Sequence, residues 1–144
     1  MYTRILVPLD GSTLGEAILP HARDLAQGCG AELVLLRVAF APIFPGTEPV
    51  DAQAAAIQEA ETYVETVAKV LRDRGLKVEA KVRYGDPVNE ILDHVTWGHI
   101  DLIAMATHGR TGLTRLVLGS VAERVLRRTF VPVLLVRAPA GVEA

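Results

Sequence analysis

Glycine spacing late in the chain is the feature that most resembles chemistry. Met105-Ala106-Thr107-His108-Gly109-Arg110-Thr111-Gly112 leads on to Gly119-Ser120-Val121. Gly109 and Gly112 let backbone N–H groups approach a ligand closely, since no Cβ stands in the way. Gly119-Ser120 falls where a helix should begin, and free N–H groups with the helix dipole favour an anion there. Ser120 either bonds a phosphate oxygen or caps that helix, and a glycine-rich turn with an ordinary N-cap fits the same residues. The stretch is compatible with phosphate.

Asp10 is the second such residue, because it closes an apolar run and precedes Gly11-Ser12. A carboxylate there can accept hydrogen bonds from a ribose hydroxyl or an adenine amino group, or it can cap the turn that follows. No G-x-x-x-x-G-K-[ST] occurs, and the first run leads into Asp10-Gly11-Ser12 rather than G-x-G-x-x-G. Those absences argue against a P-loop ATPase and a standard NAD(P) enzyme. His21, His94 and His99 lack ligand spacing and read as surface or helix residues, whereas His108 lies in the glycine loop and reads as a ligand or solvent contact. No Ser/His/Asp order, nucleophile elbow or metal cluster stands out.

The elements that would position these residues alternate. Arg4 to Leu9 is a strand running into a polar turn. Leu14, Ala17, Ile18, Ala22, Leu25 and Ala26 then recur at helical spacing from Thr13, with Gly28 and Gly30 as the stop. Leu33 to Val38 reads as a strand buried on both faces. Ala41 to Val50 carries three prolines and a glycine and reads as a loop. Asp51 to Arg74 is a long amphipathic helix stopped by Gly75. Lys77 to Tyr84 alternates apolar with charged residues, as a strand at a sheet edge with one wet face should. Asp86-Pro87 offers an N-cap and a first-position proline for a helix through about His94. Leu102 to Ala106 is a buried strand, Ser120 to Arg128 a helix, and Val131 to Val136 the last strand, apolar at every position.

Such alternation implies an α/β fold: one parallel sheet with helices on both faces, joined by right-handed crossovers. Ligands in such sheets bind beyond the carboxyl ends of the strands, where the strand order reverses. Those ends are Leu9-Asp10, Val38-Ala39 and Ala106-Thr107.

Bulk properties narrow the function. The 144 residues suit one domain. A net charge of −2 does not imply a large nucleic-acid footprint, although basic residues crowd into the last third. Cys29 is the only cysteine, which excludes an internal disulfide and reads as inert. An apolar run begins within three residues of Met1, leaving no room for a signal peptide, and the longest apolar runs fall far short of the roughly 20 residues that span a bilayer. The expectation is a cytoplasmic protein with no membrane partner.

Four stretches together resemble the universal stress protein family over essentially the whole length. They are Ile5-Leu6-Val7-Pro8-Leu9-Asp10-Gly11-Ser12, Gly109-Arg110-Thr111-Gly112, Leu118-Gly119-Ser120-Val121-Ala122-Glu123-Arg124-Val125 and Val131-Pro132-Val133-Leu134-Leu135-Val136. ATP-binding members carry Gly-x2-Gly-x9-Gly-[Ser/Thr]. Here that pattern falls on Ala106, Gly109 and Gly119-Ser120, with alanine for the first glycine. The resemblance implies a Rossmann-like domain over 1–138 with a tail over 139–144, and a five-stranded sheet of order 3-2-1-4-5. It also implies homodimers made through the last strand. Pro8, Leu9, Asp10 and Val38 would line the adenosine end, with Val38 offering backbone groups to adenine. Met105 and Ala106 would floor the ribose region, and Gly109, Arg110, Gly119, Ser120 and Val121 would surround the phosphates, with His108 and Gly112 in the same loop. The expected ligand is ATP, alone or with Mg2+, bound with at most slow hydrolysis in a stress-response role. AMP, cyclic AMP or a nucleotide-free interaction dimer are the alternatives, and the protein partner is unknown.

Overall fold

The apolar runs form the middle of a five-stranded parallel sheet in the computed structural model, which describes residues 1–40, 45–46, 48–108 and 118–137. The elements are β1 (Arg4–Leu9), a 3-10 turn (Gly15–Ile18), α1 (Leu19–Cys29), β2 (Glu32–Ala39), α2 (Pro49–Arg72), β3 (Val78–Tyr84), α3 (Pro87–Trp97), β4 (Leu102–Ala106), α4 (Ser120–Arg128) and β5 (Val133–Val136). The strand order is β3-β2-β1-β4-β5, so β3 and β5 are the edges, as expected. After β3 the chain crosses back over β1, and the direction of winding reverses between β1 and β4.

That reversal divides the core in two. Ile5, Val7, Leu33 and Leu35 face Ala22, Ala26, Val64 and Ala68 of α1 and α2. Leu6, Val34, Leu36 and Ile103 face Val88, Ile91, Ala122 and Val125 of α3 and α4. Adjacent residues of one strand thus serve opposite layers, which is why β1 and β2 carry continuous apolar runs rather than alternation. Burying each such leucine or isoleucine completely is worth about 1.5–3 kcal/mol.

Several boundaries differ from the sequence reading for local reasons. The α-helix expected from Thr13 begins only at Leu19, behind the 3-10 turn. Pro20 lacks an N–H and its ring clashes with the carbonyl four residues back, so the helix tolerates it only in the first turn. Gly28 lies inside α1; Gly30 alone ends it, in the left-handed conformation at φ 69°. α2 starts two residues early, with Pro49 in its first turn, and ends at Arg72. α3 runs on to Trp97 and is stopped by Gly98, while Asp86 caps it by accepting from the Asn89 N–H at 3.0 Å. β5 starts at Val133 because Pro132 has no N–H for the ladder, although its carbonyl still accepts from Ile103 at 3.0 Å. The charged side of β3 is half-buried rather than wet: Glu79 pairs with Arg4 and Lys81, and these contacts, that of Lys81 first, pull its carboxyl down to about 2. Among the described residues no helix is long and apolar enough to cross a membrane.

His94 is a helix residue, one of the two readings offered for it, and not a surface one. It continues the inward stripe of Val88 and Ile91 on α3, is 5% exposed, and its Nδ1 is buried without a hydrogen-bond partner. Burial lowers its pKa below the ordinary 6.5, helped by the Arg83 guanidinium and opposed by Glu79. The unfolded chain therefore takes up a proton that the native ring resists, and stability should fall as pH drops below about 6.5. His94→Phe should flatten that dependence, so that urea melts at about pH 8 and about pH 5.5 differ less than in the wild type. An unchanged pH dependence would remove His94 from the account.

Candidate functional site

The site assembles where the strand order reverses. β1 and β4 pair with Ile5 opposite Leu102 and Leu6 opposite Ile103. Continuing that register brings Leu9 level with Ala106, so the two strands end together and release Asp10 and Thr107 on the same side of the sheet.

The turn after β1 is shaped by its own side chains. Asp10 Oδ1 accepts from the Ser12 N–H at 3.0 Å and from the Ser12 hydroxyl at 2.6 Å. Ser12 Oγ in turn accepts from the Gly15 N–H at 3.0 Å, and the Ser12 carbonyl accepts from the Glu16 N–H at 3.2 Å. Gly11 makes the reversal at φ 86°. Gly15 has no room for a side chain: a Cβ there would stand 2.7 Å from Asp10 Oδ1. The turn-capping role considered for Asp10 is thus real, and it fixes one carboxylate oxygen at the mouth of the sheet.

Across the reversal, α4 begins hard against the end of β4. The Gly119 N–H donates to the Thr107 carbonyl at 2.7 Å, and a Cβ on Gly119 would come within 2.9 Å of that same oxygen. Gly119 itself is the N-cap, in extended conformation (φ −61°, ψ 155°), so Ser120 is the first helical residue and does not cap. Among the described residues no side chain caps this N-terminus. Its early N–H groups, at Ser120 and Val121, carry the positive end of the helix dipole. His108 lies beside it: Nδ1 is 3.1 Å from Thr107 Oγ1, and Nε2 is buried without a hydrogen-bond partner.

Val38 enters through its backbone. The Leu33 N–H and the Ala39 carbonyl bond Lys77 and Gly85, which flank β3, whereas the Glu32 N–H bonds Thr3 before β1. Directions alternate along a strand, so Val38 turns its N–H and carbonyl toward β1, whose last paired residue, Leu9, lies opposite Arg37. By the same alternation Ala106 faces β1, because Ile103 and Thr107 donate to β5.

The sequence-derived residues therefore divide. Pro8, Leu9, Asp10, Val38, Ala106, His108, Gly119, Ser120 and Val121 lie at or beside the reversal. Met105 spends its side chain in the core layer beneath α3 and α4. Gly109, Arg110 and Gly112 lie outside the described residues. Sequence reading gave Ser12 and Thr107 no role beyond their place in the Asp10-Gly11-Ser12 and Ala106-Thr107 stretches, and it missed Gly15, whose only signal is its spacing from Asp10. It also passed over Arg37, a charge inside an apolar run, which is 5% exposed and pairs with Glu59 at 3.1 Å. Among the described residues no three or more His, Cys, Asp or Glu side chains are grouped to hold a metal.

The arrangement offers a fixed carboxylate on one strand end, backbone groups on the next, and a glycine-led helix start across the crevice. His108 Nε2, buried without a hydrogen-bond partner, and the tight approach of Gly119 to the Thr107 carbonyl stand side by side at that helix start. The profile of the universal stress protein family matches residues 1–137. Universal stress protein MJ0531 of Methanocaldococcus jannaschii is 34% identical, over 96% of this chain and 84% of that protein. The solved structure of MJ0577 from the same organism superposes with a TM-score of 0.85 at 30% identity, covering 98% of this chain and 99% of that one. Two more distant structures share the fold. One is a universal stress protein in complex with cAMP (TM-score 0.68, 21% identity, 96% and 99% coverage). The other is an Arabidopsis thaliana family protein with AMP bound (TM-score 0.71, 18% identity, 96% and 93% coverage). The chain belongs to the universal stress protein family.

Proposed function

We propose that this protein is a cytoplasmic binder of adenine nucleotides, ATP first, that acts in stress response through the bound state rather than through turnover. The observation that carries this reading is the pairing, across the β1–β4 reversal, of the Asp10 turn with the α4 start at Gly119. Asp10 would accept from the ribose or the adenine amino group, and the Val38 backbone would meet the adenine edge. Pro8, Leu9 and Ala106 would line the sugar, while the Ser120 and Val121 N–H groups with His108 would receive the phosphates. Gly109, Arg110 and Gly112 belong to the same phosphate loop in this reading. Mg2+ would arrive on the phosphates of ATP. Proteins of the same fold with AMP or cAMP bound support the adenine class and make those two ligands the competitors.

Gly15→Ala tests the reading without removing any binding group. Its methyl would collide with Asp10 Oδ1 and push the carboxylate out of its turn. The expected result is an ATP Kd raised about tenfold in calorimetry, about 1.4 kcal/mol, with AMP and cyclic AMP as parallel titrants. ATP binding equal in wild type and variant, or no binding by the wild type, would refute it. Hydrolysis should run far below the roughly 10 per second of a median enzyme.

A homodimer through β5 belongs to the same proposal. β5 is an edge strand whose four apolar residues are all only half-buried, and exposed Leu126 and Phe130 precede it. Unpaired backbone beside apolar side chains needs a cover. A second copy supplies one by laying the same strand antiparallel, a closed two-fold contact.

A further inference from the structure

We propose that Tyr63 of α2 is a positioning residue for the candidate site, holding the Asp10 turn in place through its hydrogen bond to Glu16. The inference rests on the adenine-nucleotide reading for its effect on affinity, but not for its effect on the turn.

The connection is a chain of contacts running from the outer helix to the mouth of the sheet. Arg37 sits on β2 opposite Leu9, the residue before Asp10. Its side chain points under α2 and is almost fully buried. Glu59, itself well exposed, pairs with the guanidinium at 3.1 Å, and the guanidinium lies over the Tyr63 ring, 5.1 Å from its centroid. A charge buried this deeply is stable only when compensated, and here a carboxylate and a ring face share the work. The ring is thereby held in one orientation, and its hydroxyl donates to Glu16 Oε2 at 2.7 Å.

Glu16 belongs to the 3-10 turn, and its N–H is bonded to the Ser12 carbonyl. Ser12 holds Asp10 Oδ1 by two hydrogen bonds. Three links therefore separate α2 from the carboxylate: Tyr63 to Glu16, Glu16 to Ser12 and Ser12 to Asp10, with Arg37 fixing the first. Burial, with the Glu16 carboxylate beside it, pushes the Tyr63 phenol far above its usual range, so the hydroxyl keeps its proton and remains the donor. Asp10 adds to that shift, which places its charge within electrostatic reach of the ring. The bond spans 47 positions of sequence and joins α2 to the 3-10 turn behind Asp10.

The test uses the whole chain and two variants. Tyr63→Phe keeps the ring beneath Arg37 and removes only the hydroxyl; Glu16→Gln keeps an oxygen that accepts. Amide hydrogen exchange on the nucleotide-free protein should be faster in Tyr63→Phe at Ser12, Gly15 and Glu16, while Leu6 and Leu35 in the central strands exchange as in the wild type. The Kd for ATP should rise about fivefold, the loss expected for one hydrogen bond. Glu16→Gln should match the wild type in both measurements. Wild-type exchange at the turn in Tyr63→Phe, or acceleration spread evenly over all strands, would overturn the positioning role. A wild type that binds no ATP would sink the functional reading instead, and the exchange pattern would then decide the fate of the link alone.

Discussion

Gly119→Val is expected to raise the Kd for ATP at least a hundredfold, about 2.7 kcal/mol, and to lower the melting temperature. The reason is a backbone collision. A Cβ at this position meets the Thr107 carbonyl oxygen at 2.9 Å, and a main-chain atom at a strand end cannot swing aside as a side chain can. Valine adds two methyl groups to that clash. Relief requires α4 to retreat from β4, which breaks the 2.7 Å bond from the Gly119 N–H to Thr107 and carries the helix start away from the strand end. Ser120→Ala is the control, because Ser120 is exposed and is not the cap. It should cost only a few-fold in affinity and almost nothing in stability. Calorimetry on a Gly119→Val protein that still folds, returning wild-type affinity, would show that the helix start takes no part in binding.

The second large effect concerns assembly. Leu134→Lys should convert the proposed dimer to monomer at micromolar concentration, read by sedimentation. Leu134 pairs with Ala104 on one side of β5 and is half-buried in the single chain. In the monomer a lysine stem can lie along the strand and deliver its ammonium to water. In a two-fold seam the partner's strand closes that route, and the same substitution places two like charges near the axis. Circular dichroism should report an intact fold. A wild type sedimenting as monomer would refute the dimer outright, whatever the variant does.

Much of the fold was legible because its signals are local. Continuous apolar runs such as Ile5-Leu6-Val7 can serve two core layers only if both faces of the sheet are covered, and the alternation of Val78 to Tyr84 marked an edge. The strand order, and with it the position of the crevice, agreed with what the family resemblance implied. Errors arose where a single residue outweighed a pattern. Pro20 delayed α1 although the apolar spacing began at Leu14, and Gly119 took the capping position that Ser120 seemed to own. His94 and Arg37 show the harder limit. The only local signals are the spacing of His94 from Val88 and Ile91 and the place of Arg37 inside an apolar run, and neither says that a polar side chain is buried there. The site was legible to the same extent: Asp10 and Gly119 announce themselves at element ends, while the contact between Tyr63 and Glu16 exists only once α2 has packed.

Backbone amide shifts on titration with ATP test the central claim most directly. The account predicts saturable changes confined to four stretches: Asp10 to Ser12, Val38 and Ala39, Ala106 to Gly112, and Gly119 to Val121. Amides of α2 beyond Tyr63 and of β3 should stay in place. No change at saturating ATP, or changes clustered on any other face, would contradict a nucleotide site at the β1–β4 reversal.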